Sequence, residues 1–300
     1  MKNKPIYVEI PIKTEMDKLW EATQTPAMHE MWDLRFSSIK YLPKEDNKPQ
    51  LFSYQTKIGF GLKVEGWGRS IGSFNADDGS RTSSLQFGTD QSVSIIREGR
   101  GYWKYEPGRD DITFLTQYTY ETNFGIIGKI FDRFLFRPIM GWATALSFDV
   151  LKRWLEQGES PASQFTRFFS QALLMLFFFF IWIYHGLIPK ILVQHADEIG
   201  MLENLIPIST SQAEMLTAIA GMGEIAFAFT WLVYSNKKRL FALQLILFPI
   251  LTIGAIAANP ASLGQPFNPL TFNSSLIILS IIGYMLGKDI PTAKNCRRKR

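Results

Sequence analysis

Cysteine is almost missing from this chain, and its one thiol, Cys296, sits within the last five residues. No intramolecular disulfide and no thiolate metal cluster can form from a single sulfur. Histidine is nearly as scarce, with only His29, His185 and His195, which stand in separate segments. No nucleophile–base arrangement can be read from them, and no phosphate-binding glycine loop appears. Gly66-Trp67-Gly68 and Gly72 have the wrong spacing for a dinucleotide fingerprint and precede no helix. The first twenty residues lack the apolar core of a signal peptide. The third shortage is local. Of 32 Lys and Arg, ten follow residue 167, and of 27 Asp and Glu, six do. The basic residues of that half gather at 237–239 and 297–300, beside apolar segments, which reads as a topology signal and excludes a nucleic-acid face.

What the second half has instead is apolar length. Residues 168–188 are 21 residues without an acid, a Lys or an Arg, and include four consecutive Phe at 177–180. Such a helix rises about 30 Å, the hydrocarbon thickness of a bilayer. Three further segments follow, at about 214–234, 240–258 and 270–286. Lys152, Arg153 and Arg167, then Lys237, Lys238 and Arg239, then Lys288, Lys294 and 297–300 all fall on one side of a four-span topology. Asp197, Glu198 and Glu203 fall on the other. The positive-inside rule predicts a multi-pass cell-membrane protein with both termini cytoplasmic.

The first half alternates. Ile6, Val8, Ile10 and Ile12 predict a half-buried strand, and Thr14 offers an N-cap to a helix carrying Met16, Leu19 and Trp20. Pro26 opens a second short helix through Trp32. Strands are predicted at 37–42, 51–60, 62–75, 82–87, 93–106 and 112–121, separated by Lys44-Glu45-Asp46-Asn47, Asp77-Asp78-Gly79-Ser80 and Glu106-Pro107-Gly108-Arg109-Asp110. Gly66, Gly68 and Gly72 inside a strand predict bulges or bends. Helical spacing returns with Ile127, Ile130, Phe131, Phe134 and Leu135 and runs to Trp154, with Pro138 expected to kink or break it. The boundaries that follow are a soluble domain at 1–157, a linker at 158–166, a membrane domain at 167–290 and a basic tail at 291–300.

The order strand, two short helices, strands, long helix, with Leu19-Trp20 and Pro26…Trp32-Asp33 in the short helices, resembles the START/SRPBCC superfamily. That resemblance implies an α+β helix-grip domain, a curved antiparallel sheet over a long C-terminal helix, enclosing a cavity for a lipid, polyketide or other hydrophobic ligand. The residues add an aromatic surplus. Trp32, Phe52, Tyr54, Trp67, Phe74, Phe87, Trp103, Tyr118, Tyr120, Phe131 and Leu135 are the candidate cavity lining, and an ordinary packed core would use the same residues. His29, beside Trp32, reads as a packing or surface residue. Further on, Trp182-Ile183-Tyr184-His185-Gly186-Leu187-Ile188-Pro189-Lys190 and His195-Ala196-Asp197-Glu198 resemble the DoxX-like family of all-α four-helix membrane proteins. Quinone-linked redox chemistry is implied only weakly by that resemblance.

Polar residues in or beside the spans are the remaining candidates. Glu224, mid-span, shares a stripe with Glu214, Thr217, Gly221 and Ala228 that should face the bundle. It reads either as a proton carrier or quinone-headgroup contact, or as a structural hydrogen-bonding group. His185, Lys190, His195, Asp197 and Glu198 converge near the outer interface, as an anion or metal site or as an interfacial belt in which Lys190 snorkels and pairs with loop acids. No resident metal or cofactor is expected. Three functions stay open: a tethered hydrophobic-ligand-binding protein, a quinone-linked oxidoreductase subunit or cyclase/isomerase, and a structural anchor. The expected partners are membrane lipid, a hydrophobic small molecule, a quinone in the redox reading, and a second copy or a membrane complex.

Overall fold

A computed structural model describes residues 4–46, 48–59 and 61–299. Asn47 of the expected turn, Phe60 at the end of an expected strand and Arg300 of the basic cluster lie outside the described residues. The chain divides into two units, one formed by Met1–Phe165 together with Pro291–Arg300, the other by Thr166–Ile290.

Unit 1 is a seven-stranded antiparallel sheet with helices. The strands are β1 (Ile6–Ile12), β2 (Ser38–Tyr41), β3 (Leu51–Gly59), β4 (Leu62–Asn75), β5 (Arg81–Gly88), β6 (Ile96–Pro107) and β7 (Ile112–Thr122), in the spatial order β1-β7-β6-β5-β4-β3-β2. Alternation explains the core. Ile6, Val8, Ile10 and Ile12 of β1 are buried, as are Ile112, Phe114, Tyr118 and Tyr120 of β7, paired Ile10 to Phe114 and Ile6 to Tyr118. Two short helices, α1 (Met16–Gln24) and α2 (Pro26–Trp32), follow β1. Glu15 rather than Thr14 occupies the N-cap of α1 and makes no side-chain capping bond, whereas Pro26 opens α2 as expected.

After β7 the chain turns through Phe124 in the left-handed region (φ 64°) into α3 (Gly125–Phe131), a π turn (Asp132–Phe136) and α4 (Arg137–Gln157). Pro138 therefore does not break the helix. It follows directly on the π turn, so the helix runs on from Gly125 to Gln157 with its one irregular turn next to the residue that lacks an N–H. The middle of α4 is deeply buried, with Leu146, Phe148, Val150 and Leu151 fully covered.

The C-terminal tail is not a free basic extension. The amide of Arg297 donates to the Glu9 carbonyl (3.0 Å) and the Glu9 amide to the Arg297 carbonyl (2.9 Å), which pairs the tail with β1 at the sheet edge. Asp149 of α4, 1 % exposed at its side chain, accepts from the Thr292 amide and from Asn295 Nδ2, both at 2.8 Å. Cys296 is buried and donates to the Ala145 carbonyl (3.2 Å). Burial, with Asp149 nearby, pushes its thiol pKa up to about 12.

The expected linker at 158–166 is helical from Pro161; Gly158, with φ 72°, ends α4, and residues 158–160 alone separate the two helices. That helix, α5 (Pro161–Leu187), leads into a π turn (Ile188–Leu192), and α6 (Ala196–Leu205), α7 (Thr210–Val233), α8 (Lys237–Ala258) and α9 (Pro269–Leu286) follow. Five helical segments among the described residues are long and apolar enough to cross a membrane. One of them, Gly125–Gln157, is half buried within unit 1. The core of unit 2 is aromatic: Phe178 stacks on Trp231 (5.3 Å between centroids), Trp231 meets Phe241 edge-on (4.8 Å) and Trp182 stacks on Phe248 (5.6 Å).

Candidate functional site

The inner face of the unit 1 sheet does not close on the helices completely. It encloses a cavity of about 560 Å³, within the range of small-molecule sites. Alternation selects the wall: Phe52, Tyr54, Thr56 and Ile58 from β3, Ser83, Leu85 and Phe87 from β5, Trp103 from β6, Thr116 and Tyr118 from β7. Gly66 and Gly68 take the inward positions of β4, where a Cβ would collide with the rings of Tyr54 and Phe52 on the neighbouring strand. These glycines thus make room for the aromatic wall; of the strand glycines expected to bend the sheet, Gly72 alone adjoins a register shift in β4.

Two polar groups interrupt that wall. Arg35, 11 % exposed at its side chain, donates from Nε to Asp33 Oδ1 (2.9 Å) and from Nη2 to Asp33 Oδ2 (2.6 Å). His29 Nε2 lies 2.9 Å from the same Asp33 oxygen, and its ring stacks on Trp32 (5.0 Å). Burial opposes charge on Asp33, but the Arg35 guanidinium and the bonds from His29 and Arg35 prevail and hold its carboxyl well below the usual carboxylate range. The ion pair presents a guanidinium to the cavity without net charge. The second group joins Thr23 Oγ1 to Tyr105 Oη (2.7 Å), Gln24 Nε2 to Tyr105 Oη (2.9 Å) and Ser83 Oγ to Gln24 Oε1 (3.1 Å). Burial raises the Tyr118 hydroxyl, which lies 3.0 Å from Thr144 Oγ1, and pushes that of Tyr54, bonded to the Gly88 carbonyl, up to about 12. Both tyrosines are therefore neutral donors at physiological pH. The cavity thus combines a mostly apolar wall with a few hydrogen-bonding groups.

Of the candidate lining residues, Phe52, Tyr54, Phe87, Trp103 and Tyr118 face the cavity. Trp32 is fully buried beside it and donates to the Ala22 carbonyl (2.9 Å). Trp67 occupies the opposite face of β4, one residue out of phase with Gly66 and Gly68, and Phe74 is exposed near the end of that strand. The Tyr120 hydroxyl donates to Asp132 Oδ1 (2.6 Å), below Arg137, whose guanidinium lies 4.5 Å from the tyrosine ring. Phe131 and Leu135 point outward, because Gly128, Asp132 and Phe136 take the inward positions of that helix. Arg35, Phe36, Thr23 and Gln24 line the cavity without any local motif that marks them.

In unit 2 the expected polar convergence is divided. Lys190, in the π turn after α5, places Nζ 3.2 Å from Glu224 Oε1 and 3.4 Å from Glu198. Glu224 Oε2 is buried and has no hydrogen-bond partner among the described residues. The backbones of α5 and α7 meet beside this pair: a Cβ on Gly186 would lie 2.5 Å from the Gly221 carbonyl oxygen. His185 packs on Phe272 (5.3 Å). His195 caps α6, Nδ1 accepting from the Asp197 amide (3.3 Å), and both side chains are exposed away from the Lys190 pair. Glu214 is in the first turns of α7 and takes no part. Among the described residues no group of three or more His, Cys, Asp or Glu is placed to hold a metal.

The chain is 43 % identical, over 304 residues, to the uncharacterized membrane protein YndG of Bacillus subtilis (strain 168), a match spanning 100 % of this chain and 99 % of the relative. It belongs to the YndG family of membrane proteins. The YndG match runs through both units, so the sheet domain and the apolar helices are a shared architecture. Residues 179–281 match the model of the DoxX-like family. Over the N-terminal half the structural neighbours are START-like. A STAR-related lipid transfer protein of Xanthomonas axonopodis aligns at TM-score 0.39 and 15 % identity, over 50 % of this chain and 85 % of that one. A START superfamily protein of Mycobacterium smegmatis aligns at TM-score 0.37 and 9 % identity, over 52 % of this chain and 100 % of that one.

Proposed function

We propose that unit 1 is a helix-grip domain that binds one hydrophobic molecule at the cytoplasmic face of the membrane, tethered by a four-span DoxX-like bundle. The observation that carries this reading is the cavity of about 560 Å³, walled by Phe52, Tyr54, Phe87, Trp103 and Tyr118 and supplied with a charge-compensated guanidinium. A lipophilic ligand partitions into the bilayer, so a pocket fixed beside it works at raised local concentration. The topology has independent support in connectivity. The chain leaves unit 1 at Phe165 and returns to it at Pro291, and the returning tail is bonded to Asp149 and Glu9. Both ends of unit 2 are thus tied to one folded body, which supports an even number of crossings. In this reading α5, α7, α8 and α9 supply four, and the flanking Lys and Arg favour a cytoplasmic position for that body.

Native mass spectrometry of the detergent-extracted full-length protein tests this reading. The expected result is one co-extracted lipophile per chain, absent from the cavity-filling variant Leu85→Trp. A clean apo mass from the parent, or an adduct kept by Leu85→Trp, overturns it. One observation favours a second reading, in which unit 2 handles protons or a quinone: Lys190 and Glu224 pair within the apolar helices while one Glu224 oxygen has no partner among the described residues. Quinone reduction lost in Glu224→Gln would promote it.

A further inference from the structure

Unit 1 carries an apolar surface that its own fold does not use. On α3 and the π turn after it, Ile126, Ile127 and Phe134 are 76 %, 78 % and 74 % exposed, and Ile130, Phe131 and Leu135 are exposed beside them. The opposite side of this helix is anchored: Asp132 is fully buried, accepting from Tyr120 Oη at 2.6 Å and from Arg137 Nε at 2.9 Å. A contiguous stripe of bare Ile, Phe and Leu is rare on a protein surface that faces only water. Lys129 and Arg133, both exposed, lie along this same helix. An apolar face edged by basic residues is the pattern of a helix lying in a membrane interface.

We propose that this helix, residues 125–136, rests in the headgroup–acyl boundary of an anionic bilayer, its Ile, Phe and Leu face in the hydrocarbon and Lys129 and Arg133 at the phosphates. The occupant is argued from the chain itself. Its apolar spans keep unit 1 within reach of a bilayer, and the basic residues match the sign of anionic lipid. The same helix also walls the cavity, through Phe136. Val93 and Ile58, 67 % and 64 % exposed, line the cavity too, and Asn123, just before the helix, bonds the carbonyls of Ser94 and Ile95 at 2.9 Å. The apolar stripe is therefore continuous with an open, apolar mouth. Membrane contact stands whether or not the cavity holds a ligand; only the corollary that ligand exchanges through this mouth rests on the proposed function.

The test uses full-length protein in phosphatidylcholine/phosphatidylglycerol vesicles, with an environment-sensitive fluorophore on Ile130→Cys or Phe134→Cys and a reference label on the exposed Lys18→Cys of α1. Buried Cys296 stays unlabelled near neutral pH, which the mass of the parent protein after labelling checks. At positions 130 and 134, nitroxides on the lipid acyl chains should quench strongly and iodide on both sides of the membrane weakly, with the reverse at position 18. Iodide quenching at 130 and 134 would put the face in water, and protection from both quenchers would mean a second copy or another protein; either result overturns the proposal. Adding Ile127→Glu should return the label at 134 to iodide while amide exchange in β7 stays unchanged. A label that stays in lipid in that variant also overturns it.

Discussion

Asp149 is the residue on which the C-terminal tail is hung, and its removal has a calculable result. Its two carboxylate oxygens each accept one hydrogen bond of 2.8 Å, from the Thr292 amide and from Asn295 Nδ2, with Arg153 Nε 3.3 Å away. In Asp149→Asn the charge is gone and one oxygen becomes an amino group facing a donor. Hydrogen bonds to a charged group contribute about 1.5–3 kcal/mol each. Losing one and weakening the other should cost about 2–4 kcal/mol of tail docking, or about 30- to 700-fold in the opening equilibrium. Cys296, the only thiol, is buried under that tail and reports the opening directly. The assay is alkylation of native full-length protein with N-ethylmaleimide, followed by intact mass at one pH. The modification rate should rise by that factor while amide exchange in β7 is unchanged. A rate within about threefold of the parent would refute the assignment, being far below the cost of two such bonds. Faster β7 exchange in parallel would refute it as well, because the loss would then belong to the whole unit.

Two further substitutions address the buried charges. Asp33→Asn leaves Arg35 buried without its anion; breaking one side of such a pair costs about 3–5 kcal/mol, a fall of about 6–20 °C in the unfolding of a domain this size, read as loss of β7 exchange protection on warming. A fall under about 3 °C would contradict it. Because the folded Asp33 carboxyl is held below its ordinary value, its contribution is complete above about pH 4 and is lost only as pH falls through the depressed folded value. The parent should show that acid step and Asp33→Asn should not. In unit 2, Lys190→Met leaves Glu224 and Glu198 without their cation and should lower the yield of monodisperse protein, and Lys190→Met/Glu224→Gln should recover part of it. Equal yields from the single and double variants would show that the two residues are not coupled.

Local pattern revealed most of the elements, and the reasons it stopped are specific. The alternation of Ile112, Phe114, Tyr118 and Tyr120 belongs to a strand that is buried on one face, and that face is the observed one. The apolar spans were equally plain, since 168–188, 214–234, 240–258 and 270–286 lie within or nearly within α5 with the π turn after it, α7 with its C-cap Tyr234, α8 and α9. Cavity membership was harder, because it depends on phase. Trp67 stands between Gly66 and Gly68, and counting aromatics favours the tryptophan, whereas the inward positions belong to the two glycines beneath the Tyr54 and Phe52 rings. Arg35 was invisible for another reason: its importance lies in burial against Asp33 and the Tyr118 ring, 5.6 Å away, and Tyr118 is remote in sequence. Tail docking was out of reach for the same cause, with Asp149 and Asn295 separated by 146 positions.

The helix after β7 shows why the usual assignment of core by hydrophobicity inverts here. At helical spacing, Ile127, Ile130, Phe131, Phe134 and Leu135 form the larger apolar stripe, and a chain whose only solvent is water would bury it. The structure buries the other side, where Asp132 is fully covered. A buried carboxylate is costly unless it is paired and hydrogen-bonded. Here Tyr120 and Arg137 satisfy it, so the sheet can hold the helix by a polar latch and leave the isoleucines outside. That choice would be a liability for a protein in water. It would cease to be one where hydrocarbon is a second solvent, as in the interfacial seat we propose for this helix.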